Sequence, residues 1–309
     1  MKKLLITGAS GLLGINLALT AQARGYDVAG ITLEEGLHGI PFTMHRLDLT
    51  QPGVIQNVIR DVKPDIIINC VALTDVDRCE QIPEEARRVN TVLPETLARA
   101  TASQHIKFVQ ISTDAVFDGK QGDYSESDPV SPLNVYASTK VAGESAVLEQ
   151  DITALVCRVN FYGWSISGRR SLAEWFFNKL SQDEPVKGFS DAIFSPLLAT
   201  DLAEILFKLV EHDSCGLYHV VNPQSVSKYS FGLALAEQFG LNKNLISPAS
   251  LKDAGLAATR SLNLNLNPGK LIKELGIIVP DQKVEMSRFH QQYLDGYPQR
   301  LNSFSLSKS

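Results

Sequence analysis

Along the first half of the chain, apolar positions follow two alternating rhythms. A short apolar run at residues 3–7 passes through Gly8-Ala9-Ser10-Gly11-Leu12-Leu13-Gly14 into residues 12–24, where apolar side chains recur at helical spacing. Further short runs follow at 27–33, 42–49, 65–71, 107–112 and 154–159, separated by helix-like stretches at 51–62, 83–103 and from about Tyr136 onward. Residues 65–71 are the continuous apolar run expected of a strand covered on both faces. Strands alternating with helices predict an α/β fold, a doubly wound parallel sheet of the Rossmann type that binds ligands at the carboxyl ends of its strands. Beyond residue 160 the rhythm breaks. A Gly/Ser/Arg loop spans 163–170, and helices are predicted at 172–180, 197–210, 227–240, 268–275 and 284–294. A strand at 217–221 is placed to rejoin the sheet, and a frayed tail is expected after Pro298. The predicted division is a dinucleotide-binding domain over 1–162 and a smaller, mainly helical substrate-binding domain over 163–309.

The glycine turn carries the first chemistry. In a strand–turn–helix context Gly8 permits the tight turn, Gly11 the approach of a pyrophosphate and Gly14 close helix packing, with Leu12 and Leu13 at the helix start where phosphate is held. Glu34 and Glu35 lie about 20 residues further on, where a carboxylate accepts from a ribose 2′-hydroxyl. The plainer alternative is a pair of solvated loop carboxylates. No Arg or Lys directly follows that strand, so NADH is predicted to be preferred over NADPH. Asp48 and Leu49 at the end of the third strand, and Ala72 after the fourth, complete the predicted cofactor contacts. Tyr136 and Lys140 are four residues apart, so on a helix they share a face. An ammonium beside a phenol is expected to lower the phenol's pKa from about 10 toward neutrality.

Composition narrows the class. The 309 residues are 44% apolar and 20% charged, with a formal net charge of −5 and a pI near 5.7. There is no Lys/Arg run, which excludes an electrostatic footprint for nucleic acid. Gly8 and Gly11 interrupt the N-terminal apolar run too early for a leader, and no stretch reaches the ~20 apolar residues of a membrane span. Cys70, Cys79, Cys157 and Cys215 lack Cys-x-x-Cys spacing and read as reduced thiols of a cytoplasmic protein. The six histidines are scattered, so no metal is expected, and His219, in an apolar strand, reads as a satisfied core residue.

Three motifs stand in order: Thr-Gly-Ala-Ser-Gly-Leu-Leu-Gly from Thr7, Ile-Ser-Thr-Asp-Ala-Val-Phe-Asp-Gly from Ile111, and Tyr136-Ala-Ser-Thr-Lys140. Together they resemble the extended short-chain dehydrogenase/reductases. The 131–136 run Ser-Pro-Leu-Asn-Val-Tyr and the 260–271 segment are most like the dTDP-4-dehydrorhamnose reductase group. That resemblance implies Thr113, Tyr136 and Lys140 as the catalytic set, Tyr136 being the proton donor and Lys140 binding the nicotinamide ribose while tuning the tyrosine. It further implies Thr113, Asp114, Ala115 and Arg260 as substrate contacts, with Arg260 on the diphosphate. The chain departs from the group at Ala115, where tyrosine is usual, at 158–163, and at Ser261, Leu264 and Asn267, all on the expected sugar side.

The leading expectation is therefore an NAD(P)H-dependent reductase of a nucleotide-linked 4-keto-6-deoxy sugar, with a homodimer as its candidate assembly. Two alternatives stay open. One is a sugar-nucleotide epimerase or dehydratase of the same superfamily. The other is a nucleotide-binding regulatory subunit similar to the methionine adenosyltransferase beta subunit.

Overall fold

A computed structural model describes residues 1–35 and 37–305. Its first strands and helices follow the predicted order: β1 (Lys3–Thr7), α1 (Leu12–Ala23), β2 (Asp27–Thr32), β3 (Thr43–Arg46), α2 (Val54–Val62) and β4 (Ile66–Asn69). Next come α3 (Val76–Gln81), α4 (Pro83–Arg87), α5 (Leu93–Ala102), β5 (Lys107–Thr113), α6 (Val135–Gln150) and β6 (Leu155–Val159). The strand Gly216–Val220 pairs in parallel with β6, rejoining the sheet as predicted. This gives a seven-stranded parallel sheet in the order Gly216–Val220, β6, β5, β4, β1, β2, β3. The order reverses between β1 and β4, and that switch point is where a crevice opens beyond the strand ends.

Side-chain alternation explains why the sheet is covered twice. In β1, Leu4 and Ile6 face one core and Leu5 the other; in β4, Ile66 and Ile68 oppose Ile67. The first core packs against α1 and α8 (Ala199–Glu211), a helix that follows α7 (Leu172–Leu180). The second packs against α2, α5 and α6. Each fully buried Leu or Ile contributes roughly 1.5–3 kcal/mol relative to exposure, so the two-sided runs drive the layering. Because α8 and the strand Gly216–Val220 belong to this sheet, the nucleotide half draws on sequence well past residue 162.

A third core holds much of the C-terminal half. Trp164 stacks on Phe289 at 4.2 Å and donates Nε1–H to the Phe289 carbonyl at 3.2 Å. Ile15 and Leu19 of α1 reach into this cluster. So do Leu301 and Phe304, both buried, and this corrects the frayed tail as far as residue 305: residues 297–302 form a helix because these two side chains have a core to enter, while the expectation for 306–309 lies outside the described residues. The single helix expected over 83–103 is also revised. A π turn at Arg88–Val92 joins α4 to α5, placing the buried Asn90 against α6. A Cβ on Gly143 of α6 would lie 2.2 Å from the Asn90 carbonyl, so glycine is what lets these helices meet. Among the described residues, no helix is long and apolar enough to cross a membrane.

Candidate active site

The turn after β1 forms the floor of a cleft of about 510 Å³. Gly8 has φ +69°, a left-handed backbone that favours glycine. At Gly14 an added Cβ would sit 2.2 Å from the Gly8 carbonyl oxygen, so the turn and α1 approach each other only without a side chain. Gly11 supplies no side-chain oxygen to the start of α1, leaving the first-turn N–H groups to a ligand. Gly8, Gly11, Leu12, Leu13, Gly14 and Ala72 all line the cleft, together with Cys70 and Thr74. A close backbone cradle at an uncapped helix start fits a dinucleotide pyrophosphate.

The other predicted cofactor residues are distributed differently. Asp48 closes a local turn, its carboxylate accepting from Thr50 N at 2.9 Å, Thr50 Oγ1 at 2.7 Å and Gln51 Nε2 at 3.0 Å. Those bonds, the one from Gln51 foremost, hold its pKa below the usual carboxylate value. Leu49 is a buried core residue, and neither it nor Asp48 lines the cleft. Glu34 and Glu35 border an adjoining recess of about 380 Å³ with Thr32 and Arg46. Both carboxylates are paired, Glu34 with Arg170 and Glu35 with Arg46. The fold thus brings to this loop the arginines that local sequence lacks.

In the wall of the cleft, α6 begins with Asn134 capping Ala137 N at 2.8 Å, which sets the first helical turn beneath Tyr136. Thr113 and Asp114 arrive from the end of β5, and Tyr136, Lys140, Thr113 and Asp114 all line the same cleft. Thr113 does two things: its Oγ1 accepts from Ala115 N at 3.2 Å, closing the turn, and donates to Asp114 Oδ1 at 3.2 Å.

The expected lowering of the tyrosine pKa is not what the structure gives. Lys140 is buried and donates from Nζ to the Ile111 carbonyl at 2.7 Å. Burial of the phenolic end pushes Tyr136 up to about 12, with the Thr113 contact opposing. Burial in turn lowers Lys140 to about 8, while Glu144, one helical turn further on, favours its charged form. The phenol is therefore held as an acid at neutral pH, the state a proton donor needs.

Asp114 is buried and pushed up to about 6 by that burial, although it accepts from Asn160 Nδ2 at 2.5 Å and feels the charge of Lys228 at the start of α9 (Lys228–Gln238). Asn160 lines the cleft and was missed as a site residue; the signal was the departure at 158–163, where a polar side chain follows an apolar strand. Ala115 does not line the cleft. Arg260 does not either: its Nη2 pairs with Asp77 Oδ2 at 3.0 Å and its Nη1 donates to the Ala258 carbonyl at 3.0 Å. The cause is local docking, since Ala258 N also donates to Asp77 Oδ1 at 2.9 Å.

Behind these residues lies a buried charged layer. Arg158 forks onto Glu144 through Nε at 3.0 Å and Nη2 at 2.7 Å, and Ser112 also donates to that carboxylate. His219 approaches the Tyr124 carbonyl through Nδ1 at 3.0 Å and Arg158 Nη1 through Nε2 at 3.3 Å. These contacts assign the proton to Nδ1, and burial lowers the ring to about 3, making it a neutral core histidine as predicted.

Comparison with known proteins agrees with this geometry. The family described as RmlD substrate binding domain matches residues 1–294. The "Probable low-salt glycan biosynthesis reductase" of Haloferax volcanii is 31% identical over 94% of this chain and 98% of its own length. A dTDP-4-dehydrorhamnose reductase of Mycobacterium tuberculosis is 33% identical over 84% of this chain and 83% of its own. Methionine adenosyltransferase 2 subunit beta of Xenopus tropicalis is 30% identical over 88% and 82%. The solved dTDP-4-dehydrorhamnose reductase of Bacillus anthracis, in complex with NADP, superposes with a TM-score of 0.85 at 28% identity, covering 94% of this chain and all of that one. With a Rossmann cradle and a Thr-Tyr-Lys set on one cleft, and a match that spans both halves, the chain belongs to the RmlD substrate binding domain family and is an oxidoreductase of the NAD(P)-dependent kind.

Proposed function

We propose that the protein reduces the keto group of a nucleotide-linked 4-keto-6-deoxyhexose. The observation that carries this reading is the convergence of Tyr136, Thr113 and Lys140 with the Gly8–Gly14 cradle on one cleft. A bound nicotinamide dinucleotide would supply the hydride. The chain's own residues manage the charge and the proton. Tyr136, held protonated by burial, delivers its Oη proton to the carbonyl oxygen as negative charge develops there. The Thr113 hydroxyl, on the same cleft, turns from Asp114 to donate a hydrogen bond to the same oxygen. Lys140 is anchored to the Ile111 carbonyl and presents its cation to the cleft, where the resemblance gives it a ribose contact. Asp114, fixed by Asn160, faces the cleft as an acceptor for a sugar hydroxyl.

The test is NADH or NADPH consumption against a panel of nucleotide-linked 4-keto sugars, beginning with dTDP-4-dehydrorhamnose. Stoichiometric consumption with formation of the alcohol supports the reading. A protein that retains dinucleotide through purification and interconverts sugars with no net consumption is an epimerase or dehydratase instead. The similarity to a methionine adenosyltransferase beta subunit favours a second reading, a regulatory nucleotide-binding subunit. That reading prevails when no keto sugar is turned over and the protein co-purifies with a partner enzyme. Sedimentation of the purified protein tests the homodimer.

A further inference from the structure

The Glu34–Arg170 ion pair stands between two cavities. Arg170 lines the cleft that holds the glycine cradle and Lys140, while its partner Glu34 borders the neighbouring recess with Thr32, Glu35 and Arg46. A dinucleotide whose pyrophosphate rests on the cradle would place its adenosine ribose at this junction. Arg170 comes from the loop between β6 and α7, remote in sequence from the strand end that carries the two glutamates.

The loop is built to hold Arg170 in place. The fully buried carboxylate of Glu174 accepts from Ser165 N at 2.6 Å, Arg170 N at 2.8 Å and Ser171 N at 3.0 Å. Ser171 Oγ donates to the Gly163 carbonyl at 2.8 Å, and Asn178 Nδ2 to that of Gly168 at 2.7 Å. Backbone position is thereby fixed while the Arg170 side chain stays 41% exposed. An ion pair this exposed contributes little, so exchanging the Glu34 carboxylate for another anion costs little. A phosphate offers the same fork with more charge. Glu34, Glu35, Arg46 and Arg170 also sum to zero charge, so the junction does not repel a dianion as the two glutamates alone would.

We propose that Arg170 is a cofactor-specificity residue that exchanges Glu34 for the 2′-phosphate of NADPH, whereas with NADH Glu34 accepts from the 2′-hydroxyl. The protein thus takes both cofactors, and Arg170 rather than the strand-end sequence sets how well it takes NADPH. This rests on the dinucleotide reading of the cleft.

The experiment is direct binding, followed by nicotinamide fluorescence and calorimetry with NADH and NADPH and no sugar present. Wild type, Arg170→Met, Arg170→Lys and Arg46→Met are compared, with melting curves to show that each is folded. Arg170→Met should weaken NADPH by about tenfold or more, the loss of a charge-assisted fork, while leaving NADH within about threefold. Arg170→Lys should restore part of the NADPH affinity, and Arg46→Met should cost less. Equal losses for both cofactors, or no loss in Arg170→Met, overturn the proposal. A wild type that binds NADH and not NADPH overturns it alone, and one that binds neither removes the dinucleotide reading as well.

Discussion

At the scale of single residues, the site depends on which charges burial allows. Asp114 has its pKa raised to about 6, first by burial, so it is ionised at neutral pH and becomes protonated as pH falls through that value. The proposed acceptor for a sugar hydroxyl is then lost. The kcat/KM profile should show an acidic limb near pH 6 that Asp114→Asn removes, while dinucleotide affinity stays level across the same range. The Glu144–Arg158 pair shows the opposite use of charge. Both side chains are buried, so Glu144→Gln strands an uncompensated guanidinium and should lower stability by about 3–5 kcal/mol in urea titrations. Little of this electrostatics was legible in the sequence. Tyr-x-x-x-Lys spacing singled out a phenol that does line the cleft, but the direction of its pKa shift depends on Lys140 reaching the Ile111 carbonyl and on how far the phenol is enclosed, neither of which spacing encodes.

At the scale of elements, periodicity and glycine did most of the specifying. The β1–turn–α1 unit was legible because its glycines are forced by sterics at particular places: Gly14→Ala puts a Cβ against the Gly8 carbonyl, a backbone atom that cannot swing away. Such overpacking should cost about 1–3 kcal/mol and weaken NADH binding, read by thermal melting and fluorescence titration. The sheet-rejoining strand at 216–220 was legible too, since its apolar run suits a covered strand. The π turn at Arg88–Val92 was not, because it answers to packing against α6 rather than to any local signal. Nor were the partners of Glu34 and Arg260. Arg170 lies 136 positions from Glu34, and Asp77 meets Arg260 only once the C-terminal segment has docked on α3.

For the whole molecule, the two halves are joined by shared cores and by one buried carboxyl. Glu285 is fully enclosed, accepting from Leu198 N at 3.3 Å and Asn222 Nδ2 at 2.9 Å, and burial, with Asp201 nearby, pushes it up to about 8. Its folded pKa exceeds the ordinary carboxylate value of 4.5, so the folded state binds more protons between those limits. Its stabilising contribution is complete below about 4.5 and is lost as pH rises through 8, at no more than about 1.4 kcal/mol per pH unit. Glu285→Gln should therefore flatten the fall in melting temperature between pH 5 and 8.

Tyr136 as the proposed acid of a keto-sugar reduction is tested by comparing wild type with Tyr136→Phe. NAD(P)H oxidation by dTDP-4-dehydrorhamnose is followed for both proteins, with dinucleotide affinity measured alongside. Wild type should turn over, and the Phe variant should bind dinucleotide equally well but be slower by about 10²–10⁴-fold, the usual contribution of a positioned general acid. A Phe variant that reduces the sugar at the wild-type rate would contradict that role.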